Sequence, residues 1–136
     1  MGLTSKVIYQ GDLRTEATHL RSGNKIYTDA PVDNEGKGEA FSPTDLASTS
    51  LASCILTIMG IAASRRNIDI KGATADVSKT MSSNPRRIAK IEINIAMPAN
   101  DYSTADKKVL EAAAHHCPVG LSLGKDTEEV VHITWT

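Results

Sequence analysis

Aromatic residues are scarce in this 136-residue chain: one Trp, three Tyr and one Phe. Its core must therefore be built from Ile, Leu, Val, Ala and Met, and so thin an inventory leaves room for further burial between subunits. Charge of one sign is lacking too. The formal net charge is −1, with Lys and Arg spread along the chain, which excludes the electrostatic footprint of a nucleic-acid or anionic-membrane binder. Repeats, low-complexity tracts and CxxC or HxxxH metal spacings are all missing. MGLTSKVIYQ is a polar start followed by a strand pattern, without the basic and apolar regions of a signal segment, so the expected compartment is the cytoplasm. Cysteine is reduced to two, Cys54 and Cys117. In a cytoplasmic chain such a pair is more often catalytic, metal-binding or inert than a structural disulfide.

The length suits a single domain, 1–136, large enough for a real core. Strands are expected at Lys6–Gln10, Leu13–His19 and Lys25–Thr28, separated by Gly11-Asp12 and Ser22-Gly23-Asn24 turns, with a polar loop over 30–41. Ser42-Pro43-Thr44-Asp45 is a helix start: a hydroxyl cap, proline at the first helical position and an acid at the third. The helix should run to about Ser64, where Arg65 and Arg66 suit the negative end of its dipole. Its segment 46–64 is uncharged and long enough to span a bilayer, but five hydroxyl side chains and Gly60 lower its hydrophobicity. A buried core helix, apolar nearly all round and covered with help from a second subunit, is the expectation.

Beyond it, Ala73–Met81 and Ile88–Met97 read as a hairpin; Ile91, Ile93, Ile95 and Met97 alternate with Lys90, Glu92, Asn94 and Ala96, so one face is buried. Ser103-Thr104-Ala105-Asp106 opens a helix to His116, Pro118 interrupts it, a short helical turn follows over Val119–Leu123, and Glu129–Trp135 is the last strand. The order βββ-α-ββ-α-β, joined by hairpins, argues for an α+β fold with antiparallel sheet.

Two cysteines carry the chemistry. Cys54 lies within the apolar helix, where a cysteine is usually small filler, yet Ser50 and Thr57 flank it on the same face. Cys117, in HHCPVG, would cap the helix begun by Pro118, where free N–H groups favour thiolate, the reactive form. One shielded thiol and one at a helix start could work as attacking and resolving partners. A metal site of Cys117 with His115 or His116 is the rival, weakened because adjacent helical residues point about 100° apart.

SPTDLASTSLASCILTIMG (42–60) and HHCPVGLSL (115–123) resemble the two cysteine motifs of the OsmC/Ohr family, the osmotically inducible and organic-hydroperoxide-resistance proteins, and the similarity extends over essentially the whole chain. The resemblance implies an intertwined homodimer with long central helices and two active sites at the subunit interface. It also implies a thiol peroxidase for organic hydroperoxides, reduced by an external dithiol, with no metal or organic cofactor and no nucleic-acid or membrane partner. Cys54 would form a sulfenic acid and Cys117 would resolve it as a disulfide. An arginine of the N-terminal meander would hold the thiolate: Arg14, with Arg21 as second choice. The family's glutamate partner of that arginine is replaced here by Thr44, leaving Asp45 or Glu39 as the acid, although Asp45 could equally do no more than cap the helix. The missing glutamate motivates an alternative, a small-molecule binding protein of the same fold.

Overall fold

In a computed structural model, which describes residues 2–136, the chain divides into two compact units, the first ending at Ala47 and the second spanning Ser48–Thr136. The first is a meander of β1 (Ser5–Gly11), β2 (Arg14–His19) and β3 (Lys25–Asp29), in the order β1-β2-β3 and antiparallel throughout. Asp12 and Leu13 turn β1 into β2 with both φ values positive, 53° and 63°, the geometry of a type I′ turn whose twist matches its strands. The segment after β3 is more ordered than a polar loop suggests. It contains a single 3₁₀ turn, Val32–Asn34, and folds back so that Asp29 N–H donates to Phe41 O and Gly38 N–H to Ala30 O. A Cβ on Gly36 would fall 1.7 Å from the Ala30 carbonyl oxygen, so only glycine fits that approach.

Helix α1 (Pro43–Arg65) starts where the sequence signals it. Ser42 Oγ accepts from Asp45 N–H at 3.0 Å, and Ser42 N–H donates to Asp45 Oδ2 at 3.0 Å, a reciprocal cap that satisfies two orphan donors. The helix is long and apolar enough to cross a membrane by length and composition, yet it behaves as a core helix with one buried stripe. Ser48, Leu51, Ala52, Ile55, Met59 and Ala63 recur at helical spacing and are buried. Ser53, Thr57, Ile61 and Ser64 are exposed. The expected all-round burial is therefore not met within one chain.

The second unit packs that stripe with β4 (Thr74–Ser82), β5 (Arg87–Ala96) and β6 (Glu128–Thr134), ordered β4-β5-β6. The predicted alternation holds: Ile91, Ile93, Ile95 and Met97 are buried, and with Leu51, Ile55, Met59 and Leu110 they form the core. Between β5 and β6 come α2 (Thr104–Ala114), capped reciprocally by Ser103 and Asp106, and α3 (Pro118–Ser122). Arg66 Nε ties the end of α1 to the Asp106 carboxylate at 2.8 Å. The α+β class is as expected, with one correction to the wholly antiparallel sheet: β6 runs parallel to β5. The reason is the connection itself, which carries two helices and is long enough for a crossover, whereas β4 and β5 are joined by a tight turn.

Candidate active site

Arg14 opens β2, and the β2–β3 register pairs it with Asp29 at the end of β3. The two side chains meet in a fork: Arg14 Nε donates to Asp29 Oδ1 at 2.8 Å and Nη2 to Oδ2 at 2.9 Å. Such bidentate pairing fixes the guanidinium plane as well as its charge. Asp29 is only 1% exposed, and its carboxylate also accepts from Glu39 N–H at 3.2 Å. The Arg14 hydrogen bonds, outweighing desolvation, hold the Asp29 carboxyl below its ordinary range, and the same bonds raise the guanidinium. Glu39 Oε2 lies 3.9 Å from Arg14 Nη2, and the Tyr27 ring stacks 5.7 Å from the guanidinium carbon.

Asp29 is thus the acid that pairs with Arg14, and sequence reasoning missed it. Of the acids it offered, Glu39 is a secondary neighbour and Asp45 caps α1. Arg21 lies exposed in the β2–β3 turn.

The thiols form a second cluster. Cys54, in the middle of α1, is half-buried, while Cys117, at the start of α3, is 2% exposed; both are free. This reverses the expected shielding. Cys54 is nevertheless a neighbour of Cys117, near enough to push that thiol up. Thr57, expected to attend Cys54, donates its hydroxyl to Ser53 O at 2.8 Å instead.

Cys117 does cap α3: its Sγ accepts from Gly120 N–H at 3.3 Å. The expected thiolate bias does not survive burial. Desolvation pushes the Cys117 thiol up, the Gly120 N–H opposes it, and Cys54 and then Glu129 add to the rise. A five-residue helix offers little dipole to offset that.

His115 is the C-cap of α2, and exposed His116 donates from Nδ1 to Ala112 O at 2.7 Å. Among the described residues no three His, Cys, Asp or Glu side chains are grouped to hold an ion. A cavity of about 140 Å³ opens beside Cys117, lined by Leu51, Ile55, His115, Gly120, Glu129 and Val131 among others.

The OsmC-like protein family model matches residues 36–131, a span that includes both cysteines and α1. The chain belongs to the OsmC-like family. Its fold superposes on a proposed osmotic stress induced and detoxification response protein from Psychrobacter arcticus 273-4 with a TM-score of 0.93, at 52% identity and 98% coverage of both chains. An OsmC-like protein from Mycoplasma pneumoniae shares the fold at a TM-score of 0.81 and 18% identity, covering 100% of this chain and 98% of the other. An organic hydroperoxide resistance protein OsmC from Legionella pneumophila does so at 0.72 and 16%, with 98% of each chain covered. No curated protein sequence matches. The carboxylate that Arg14 meets in this chain comes from an aspartate on the neighbouring strand.

Proposed function

We propose that this OsmC-like chain is a cytoplasmic thiol peroxidase that reduces organic hydroperoxides without metal or organic cofactor. Cys54 attacks the peroxide O–O bond and becomes a sulfenic acid, one alcohol leaves, and Cys117 displaces water to close a disulfide that an external dithiol reduces. The observation that carries the reading is that Cys54, on α1, is near enough to Cys117, at the start of α3, to raise that thiol, although the two free cysteines are far apart in sequence. The forked Arg14–Asp29 pair supports Arg14 over Arg21 as the cation for thiolate and peroxide, because its guanidinium is already oriented.

A homodimer belongs to the same proposal. Val7, Ile8, Tyr9, Ile26 and Tyr27 on the meander and Ile61 on α1 are between 43% and 64% exposed in one chain, more apolar surface than an isolated sheet normally leaves wet. The raised Cys117 thiol favours a second reading, a binding protein whose cysteines react little.

Single-cysteine proteins separate the two. Cys54→Ser should abolish hydroperoxide consumption, while Cys117→Ser should perform one turnover and accumulate a dimedone-trappable sulfenic acid at Cys54. Equal activity in both variants contradicts the peroxidase reading, and unreactive thiols with a co-purifying ligand favour the binding protein.

A further inference from the structure

Glu129 occupies a place that the cysteine chemistry described so far leaves unused. It stands on β6 and lines the small cavity beside Cys117. Gly120, in α3, reports how close the two groups are. A Cβ added there would lie 2.8 Å from Glu129 Oε1, 3.3 Å from Cys117 Sγ and 3.4 Å from Leu51 Cδ1. Carboxylate and thiol therefore flank one small volume, kept open because residue 120 has no side chain. A cavity of about 140 Å³ is roomy enough to hold a water between two polar groups.

We propose that Glu129 is the proton acceptor for Cys117 when that thiol closes the disulfide with Cys54. The need for a base follows from burial. A thiol that is 2% exposed, with Cys54 and Glu129 as neighbours, stays protonated at neutral pH and attacks poorly in that form. Glu129 as a residue is exposed on β6, and the desolvation its carboxyl does meet raises it, with His115 opposing, which makes it a stronger proton acceptor than a fully solvated carboxylate. The titratable groups beside the carboxylate are His115 from the end of α2 and Cys117 from α3.

The step balances. The Cys117 thiol gives its proton to the Glu129 carboxylate, directly or through one water. The Cys117 sulfur attacks the Cys54 sulfur, an S–S bond forms and the S–O bond of the sulfenic acid breaks. The departing hydroxide takes the proton from the Glu129 carboxylic acid and leaves as water, which restores the carboxylate. The oxidising equivalent came from the hydroperoxide. The inference deepens the peroxidase reading, on which it rests for the source of the sulfenic acid; deprotonation of Cys117 is needed whatever oxidises Cys54.

The test uses Ellman's disulfide, dithiobis(nitrobenzoate), so that it does not depend on peroxide. Cys54 attacks the reagent and releases one thionitrobenzoate; Cys117 then attacks the mixed disulfide on Cys54 and releases a second. In Glu129→Gln the second release should slow about a hundredfold at neutral pH, with the first unchanged. The wild-type second phase should gain a pH limb from the carboxyl that the Gln variant lacks. Glu129→Asp, which keeps the carboxylate, should close faster than Glu129→Gln. A second phase that is unchanged in Glu129→Gln overturns the proposal. So does one that is faster, the result expected if Glu129 merely repels the forming thiolate. Repeating the experiment with cumene hydroperoxide keeps the two claims apart: a chain that shows the Glu129 effect with the reagent but ignores the hydroperoxide loses the peroxidase reading alone.

Discussion

The two compact units bury opposite kinds of side chain. In the meander the buried residues are polar: Thr28, Asp29 and Ser42, while Val7, Ile8 and Tyr9 of β1 are 59%, 49% and 64% exposed. In the second unit the buried set is Leu, Ile, Met, Ala and Cys117, with Ser48 as the polar exception. A three-stranded sheet with wet apolar residues is marginal by itself, whereas the second unit holds a contiguous core. The meander is thus organised by turn chemistry and one buried ion pair and depends on whatever covers its apolar residues.

Core truncation should break this comparison most visibly. Leu51→Ala, which empties a 1% exposed site, should cost about 2–5 kcal/mol in urea unfolding. Tyr9→Ser on the exposed face of β1 should cost under about 0.5 kcal/mol in dilute protein and instead weaken the dependence of Tm on protein concentration that association produces. Equal losses from both would erase the distinction between the units.

A smaller and more selective effect belongs to the ion pair. Asp29→Asn keeps the shape but removes the charge that orients Arg14, so hydroperoxide consumption should fall about a hundredfold while Ellman's reagent still titrates both thiols. Loss of thiol titration as well would mean that Asp29 supports the whole fold. The smallest effect is the pH dependence of the same pair. The Asp29 carboxyl is depressed in the folded chain, so its stabilisation is fully present above the ordinary carboxylate pKa of about 3.9. It should be lost as pH falls through the lower, folded value. Hydrogen exchange of β2 and β3 amides between neutral pH and pH 3 should show protection falling there first. Protection that rises on acidification would contradict the sign.

What could be read from residues alone followed from local chemistry. The Ser42 and Ser103 caps are three-residue signals, and both formed as reciprocal caps. The isoleucines of β5 declared their buried face by alternation. The direction of β6 was not legible, because its pattern is the same whether it runs with or against β5, and only the crossover decides. Asp29 was hidden for a related reason. Its partner is across a strand pair, and the signal lay in counting the register outward from the Ser22-Gly23-Asn24 turn, which sets Thr18 against Lys25 and Arg14 against Asp29. The buried face of α1 was masked by uniformly apolar composition, with Ile61 exposed and Ser48 buried. Burial of Cys117, and with it the reversal of its thiolate bias, depends on packing between α1, α3 and β6 that no short motif encodes.

The central claim is that Cys54 and Cys117 are a peroxide-driven redox pair. The most direct measurement is intact mass with non-reducing peptide mapping after one equivalent of an organic hydroperoxide, repeated with hydrogen peroxide. The account predicts a fast loss of two hydrogens, localised to a Cys54–Cys117 disulfide and faster with the organic hydroperoxide. Both thiols remaining reduced over the same interval would contradict it.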